Sequence, residues 1–174
     1  MSSLAFWKAV VADKSNFLER VIALLEESGF PYCVIGGVAV NAYADPVVTQ
    51  DLDIVLAVED VPRARESLGK TFRIEEFEHS VNVHDPDSRL QVQIQKDPEL
   101  SAILGRSERK HVMDLLLPVA APEDLVRLKV EAAMDPTRRA SKRQKDLTDI
   151  VRLLEAFPEL EQWVPQAIQD RLFH

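Results

Sequence analysis

The order of periodic segments predicts an α/β fold of the α+β kind: a short mixed β-sheet flanked by helices, with C-terminal helices closing the chain. Three observations predict it. Short apolar or alternating runs interleave with helical stretches through the first two thirds of the chain, helical spacing alone continues from Pro122 onward, and two strand-like runs bracket a Gly36-Gly37 turn. The expected organisation is an α/β core over residues 1–120 and a C-terminal helical segment over 121–174, packed on the core as a single compact unit.

Each element has a local reason. Leu18, Val21, Ile22 and Leu25 recur at helical spacing within residues 15–28, and Gly29, Phe30 and Pro31 stop that helix; residues 4–12 form a helix of their own or begin the same one early. Tyr32–Ile35 is a short apolar strand, broken by Gly36-Gly37, and Val38–Tyr43 reads as a short helix. Asp45-Pro46 is a turn, Leu52–Val58 the second strand, and Val61–Leu68 a helix capped by Gly69. After a strand over Phe72–Phe77, two alternating runs, Val81–His84 and Leu90–Gln95, flank the turn cluster at residues 85–88 and spell a hairpin. Pro98–Leu104 is helical and Val112–Val119 adds one strand. Pro122, Glu123 and Asp124 make a good first helical turn, because proline suits that position and acids complement the helix dipole. Asp135-Pro136 ends that helix, Thr137 caps the next, whose stripe is Leu147, Ile150, Val151 and Leu154, and Pro158 starts a last short helix near Trp163.

Composition narrows the function. With 174 residues, 46% hydrophobic and 29% charged, the chain reads as an ordinary globular protein large enough to bury a core without staples. A single cysteine, Cys33, excludes an internal disulfide framework and, with no secretory signal pattern at the start, points to the cytoplasm; no apolar run reaches the length of a membrane span. A formal net charge of −8 argues against sequence-independent nucleic-acid binding, although residues 138–145 carry a local basic run that reads either as a solvated face or as a phosphate or RNA site.

The stretch from Val34 to Val55 carries the chemistry. Asp51 and Asp53 lie one residue apart on a strand, so both carboxylates share a face while Leu52 and Ile54 turn to the core. Two like charges so close destabilise the strand unless a cation compensates, and Mg²⁺ takes oxygen ligands shared between carboxylates and substrate phosphates. Gly36-Gly37 ends a strand and opens a helix, where exposed N–H groups can hold a phosphate. A phosphate cradle beside a metal clamp is what nucleotidyl transfer needs.

An apolar residue, Gly-Gly, 13 further residues and then Asp-Leu-Asp-Ile resembles the signature of the polymerase-β-like nucleotidyltransferase superfamily, in particular its small bacterial members: minimal nucleotidyltransferases and abortive-infection nucleotidyltransferase toxins. The likeness is strong over residues 33–55 and looser over 122–155. It implies the nucleotidyltransferase fold and transfer of a nucleoside monophosphate from an NTP, using two Mg²⁺ ions held by Asp51 and Asp53. It makes Gly36 and Gly37 the triphosphate turn and puts Thr49, Lys129, Asp146 and Asp149 at the nucleotide, with Lys129 a catalytic candidate beside the two acids. The acceptor is left open among a protein side chain, a tRNA end and a small hydroxylated molecule.

Two departures stand out. Members of the superfamily usually bring a third carboxylate from a neighbouring strand; here that strand offers Gln91, Gln93 and Gln95 on one face, with Gln93 at the expected position. A carboxamide is a poorer Mg²⁺ ligand and no base; Asp97 or Glu99 replaces the acid only if the chain bends back. Val47, Val48 and Thr49 stand where relatives often carry an arginine. The alternative reading is therefore a catalytically impaired nucleotide-binding or regulatory module of a two-protein, toxin–antitoxin-like system with a cognate partner protein. Elsewhere the expectations are plain: Asp146 and Asp149 orient Lys129 or metal-bound water, or pair with Arg143 and Lys145, His79, His84 and His111 lie at the surface, Cys33 is a small buried hydrophobe, and Trp7 and Trp163 are packing residues.

Overall fold

The computed structural model describes residues 2–172. Its first two helices, α1 (Ser3–Val10) and α2 (Phe17–Glu27), are separate, because Ala12 and Asn16 both take positive φ between them. The buried Asp13 accepts the backbone N–H of Phe17 at 3.0 Å and so caps α2 from four residues upstream. Gly29, at φ +70°, ends that helix as expected.

Seven strands form one mixed sheet: β1 (Tyr32–Ile35), β2 (Asp51–Leu56), β3 (Arg73–Glu76), β4 (Ser80–His84), β5 (Gln91–Gln95), β6 (Glu108–Val112) and β7 (Leu115–Val119), in the order β3-β4-β5-β2-β1-β7-β6. β1 and β2 are antiparallel, β2 and β5 parallel, and the expected hairpin is the antiparallel β4–β5 pair. Where one strand is expected over Val112–Val119, the structure has the β6–β7 hairpin. Met113 and Asp114 turn it with φ of +50° and +64°, a two-residue turn made without the glycine or asparagine that normally announces one.

Helices α3 (Gly36–Val40), α4 (Val61–Gly69), α5 (Ser101–Leu104), α6 (Pro122–Met134), α7 (Ala140–Ala156) and α8 (Gln166–Leu172) complete the chain, with a 3₁₀ segment over Pro158–Trp163. α3 starts at the glycines themselves rather than at Val38, and α4 includes Gly69. Thr137 does not cap α7: its hydroxyl and N–H both bind the Asp135 carboxylate, and Arg139 occupies the cap position with no side-chain bond. Trp163 is not a packing residue either; it is 42% exposed and lies beneath the Arg127 guanidinium, 4.2 Å from the ring centroid. Leu52, Ile54, Val92 and Ile94 from the sheet share one continuous core with Leu125, Val126 and Val130 of α6 and Ile150 and Leu153 of α7. That packing lays α6 and α7 beside α3, so whatever these helices point toward the sheet meets the start of β2.

Candidate functional site

Strand alternation does at β2 what the sequence expects. Leu52 and Ile54 are fully buried, while Asp51 and Asp53 emerge together on the opposite face. Antiparallel pairing sets Ile35 across from Asp53, which brings Gly36 onto the Asp53 side chain. At φ +73° Gly36 holds a conformation that side chains rarely adopt, and a Cβ there would overlap Asp53 Oδ2 and lie 3.2 Å from Cγ. Gly37 is different: its φ is ordinary and the nearest neighbour of an added Cβ is Thr49, at 3.8 Å.

The loop into β2 is tied at several points. Asn41 both donates to the Val47 carbonyl at 2.8 Å and accepts the Val47 N–H at 3.0 Å. Trp7 Nε1–H donates to the Thr49 carbonyl at 2.9 Å, and Thr49 Oγ1 accepts the Asp51 N–H at 3.3 Å. Trp7 is thus a buried packing residue that also ties down the loop into β2, a role its sequence context does not reveal.

On the other side of β2, the parallel register with β5 sets Gln91 across from Asp51 and Gln93 across from Asp53. Gln95 Nε2 donates to Asp53 Oδ1 at 3.3 Å. Carboxamides therefore face the acids where a third carboxylate is usual, and among the described residues no three His, Cys, Asp or Glu side chains gather as a metal site. Asp97 and Glu99 line the same cleft, with Asp97 Oδ1 committed to the Glu99 N–H at 2.9 Å.

The helical segment contributes five cations, the exposed Lys145 among them, and two acids. Lys129 on α6 sits between Asp146 at 3.1 Å and Asp149 at 2.8 Å, both on α7 and both buried. Arg138 Nε–H binds the second Asp146 oxygen at 2.6 Å, and Arg152 pairs with Asp149 at 2.7 Å. Arg152 also donates to Asn41 Oδ1 at 2.7 Å and to the Asp45 carbonyl, which locks the loop before β2 onto α7. The expected pairing of Asp146 and Asp149 with Arg143 and Lys145 does not form; both acids face inward, where Lys129, Arg138 and Arg152 reach them. Lys142, from the first turn of α7, reaches Asp51 Oδ2 at 2.9 Å.

These residues line two adjoining cavities. The smaller, about 280 Å³, lies between Gly37, Val47, Val48 and Thr49 on one wall and the cationic face of α6 and α7 on the other. The larger, about 950 Å³, is a cleft over Gln91, Gln93 and Gln95. Asp51, Asp53, Lys129, Arg138, Lys142 and Asp146 border both. Burial, and next the neighbouring Asp51 charge, push the Asp53 carboxyl up to about 6, against the pull of Lys129, Lys142 and Arg138. A carboxylate held so far above its usual range is short of positive charge. The donor set of two hard carboxylates, one already carrying the Lys142 ammonium, fits a divalent oxygen-seeking cation. Cys33 takes no part: burial, and next Asp124, raise its thiol to about 12.

A mixed sheet with a glycine turn set against an Asp-x-Asp strand defines the nucleotidyltransferase fold, and this chain has it. Solved structures bear out the fold. The crystal structure of ANT(2'')-Ia in complex with adenylyl-2''-tobramycin matches at a TM-score of 0.65 over 90% of this chain and 97% of that one, with 14% identity. The lincomycin-bound lincosamide antibiotic adenylyltransferase LnuA matches at 0.57 over 80% and 98%, with 13% identity. An antigenic nucleotidyltransferase-like protein from Paracoccidioides brasiliensis matches at 0.55 over 95% and 88%, with 17% identity. No family model and no curated protein matches the sequence. Among the described residues no helix is long and apolar enough to cross a membrane.

Proposed function

We propose that the protein transfers a nucleoside monophosphate from an NTP to a small hydroxylated acceptor, with Asp51 and Asp53 holding Mg²⁺. The observation that carries this reading is the position of the acid pair on the border between a cationic cavity and an open cleft. The cationic side suits the triphosphate. Gly37 offers backbone without a side chain in the way, Lys129, Arg138 and Arg152 supply charge held in place by Asp146 and Asp149, and Lys142 adds charge from its place on Asp51. Mg²⁺ bound by Asp51 and Asp53 would neutralise the phosphate oxygens as charge builds on the leaving group. The acceptor oxygen then bonds to the α-phosphorus, the bond to the bridging β-phosphate oxygen breaks, and pyrophosphate leaves with that electron pair. Gln93 can accept a hydrogen bond from the acceptor hydroxyl but cannot take its proton, which passes to a carboxylate of the cleft or to water.

The cleft also speaks to the acceptor. Asp97, Glu99 and Glu131 line it together with Asp51, Asp53 and Asp146, so that its six acids outnumber its four cations, Lys96, Lys129, Arg138 and Lys142, over a floor of three glutamines. That lining supports a positively charged, polyhydroxylated small molecule over a tRNA, whose phosphates it would repel. One structural neighbour was crystallised with adenylyl-2''-tobramycin.

Gln93 favours a second reading, a module that binds the nucleotide without turnover, as in a two-protein system. Incubation with Mg²⁺, each α-labelled NTP, and either a panel of hydroxylated polyamines, tRNA or cell extract separates the two. Label transfer that is lost in Asp53→Asn supports the enzyme; transfer that persists in that variant sinks the assignment. No transfer, with Mg²⁺-NTP binding that Asp53→Asn abolishes, favours the module.

A further inference from the structure

Of the four cations that pair with acids at the site, three are engaged by acids that no metal would need. Lys129 is shared by Asp146 and Asp149, Arg138 is held by Asp146, and Arg152 by Asp149. Lys142 differs. Among the described residues its one carboxylate partner is Asp51, at 2.9 Å, so the ammonium sits on one of the two carboxylates proposed above to bind the metal. Both partners keep access to solvent, with side-chain exposures of 41% and 30%, and Lys142 borders the cationic cavity as well as the cleft. The lysine can therefore swing without disturbing the core. Because it belongs to the first turn of α7, its reach covers both the start of β2 and the space above Gly37 and Thr49.

Mg²⁺ binds carboxylate oxygen at roughly 2.1 Å. An ammonium 2.9 Å from the same carboxylate would then lie within a few ångströms of a dication, where repulsion is severe. Metal alone must expel Lys142 into water and lose its ion pair. Metal arriving with a triphosphate offers the displaced ammonium a new anionic partner in the adjoining cavity. We propose that Lys142 is a built-in counter-cation of Asp51, displaced by the metal and taken up by the triphosphate, so that the site accepts the divalent ion together with the nucleotide and resists it alone. This rests on the reading of Asp51 and Asp53 as metal ligands. It makes Lys142 a positioning residue that couples two binding events, and the coupling is reciprocal.

The test is Mn²⁺ binding at low ionic strength, followed by the electron paramagnetic resonance signal of the free ion, with and without α,β-methylene-ATP. Lys142→Ala is expected to bind Mn²⁺ alone about fivefold more tightly than wild type, in line with the loss of a partly exposed ion pair. It should also show less enhancement of Mn²⁺ binding by the nucleotide analogue. Lys142→Arg, which keeps the charge, should behave as wild type. Unchanged or weaker Mn²⁺ binding in Lys142→Ala, with Asp51→Asn still weakening it, overturns the displacement and leaves the metal site standing. If Asp51→Asn leaves Mn²⁺ binding unaltered, or no variant binds Mn²⁺, the metal-ligand reading fails and takes the displacement with it.

Discussion

Replacing Gly36 with alanine should damage stability and the acid pair together, and the three glycines at helix ends provide the comparison that proves why. At Gly36 two penalties add. Backbone at φ +73° costs a non-glycine residue about 1–2 kcal/mol. The new methyl would also overlap the Asp53 carboxylate and stand 3.2 and 3.3 Å from its Cγ and Cβ, so the whole short side chain must move rather than a flexible tip. A total near 3 kcal/mol is reasonable for strain plus overpacking, which at about 2–4 °C per kcal/mol lowers the Tm by about 6–12 °C. Gly29→Ala carries the strain alone, since φ is +70° but nothing lies within 4 Å, and should fall by about 1–2 kcal/mol. Gly37→Ala has helical backbone and only 3.8 Å contacts, so its fold should be unchanged or firmer by up to about 1 kcal/mol. Calorimetry of the three variants and Mn²⁺ titration check the ranking, with Mn²⁺ affinity reduced about tenfold or more in Gly36→Ala alone. Gly36→Ala melting with Gly29→Ala and binding Mn²⁺ as wild type does would refute the reasoning.

Other outcomes follow from the same geometry. Asp53 has its folded pKa raised to about 6 from an unfolded value near 3.8, so the folded state binds the extra proton between those values. Stability without metal should therefore fall as pH rises from about 4 through 6 and then level off, by up to about 3 kcal/mol and less as far as solvent reaches the group. Asp53→Asn should flatten that slope in chemical denaturation, and in the wild type Mn²⁺ affinity should rise across the same window. Asp146→Asn leaves Lys129 and Arg138 without their buried partner and should destabilise the fold by about 3 kcal/mol in urea, more than any change at the exposed Lys145. Gln93→Glu sets a third acid across from Asp53 and should weaken the metal-free protein above pH 7, tighten Mn²⁺ binding, and raise the transfer rate if the carboxamide is what limits it.

The part of the site legible in the sequence is the part set by local rules. The alternation of β2 gives the shared face of Asp51 and Asp53, and the adjacency of two short strands through Gly36-Gly37 gives the close approach. Gln93 faces Asp53 because β5 is the apolar-alternating neighbour. What escaped reading depends on tertiary placement. Lys142, Lys145, Asp149 and Arg152 recur at spacings of three and four along α7, a charged stripe that was there to be seen. Of its partners only Lys129 on α6 was legible; those on β2 and the loop after α3 were not. Near-neighbour pairing rules for a helix suggest Arg143 and Lys145 for the two acids, and these rules lose when a buried face offers Lys129 and Arg138. Likewise, the indole of Trp7 looks apolar until Thr49 is placed beside it.

The overall charge of −8 is a poor guide to such a site, and the structure explains why. Four acids, Asp51, Asp53, Asp146 and Asp149, meet five cations, Lys129, Arg138, Lys142, Lys145 and Arg152, within one small volume. The inner acids spend their charge on orienting cations, and with Lys145 the wall above Gly37 keeps a net positive charge toward an arriving phosphate. The surplus of acid shows instead on the cleft side, at Asp97, Glu99 and Glu131. The balance of charge thus differs across the start of β2, cations in excess in the smaller cavity and acids in excess in the cleft, with Asp51 and Asp53 on the boundary. On the proposed reading, an anionic donor would be favoured in the first and a cationic acceptor in the second, so the acid pair would stand where the two meet.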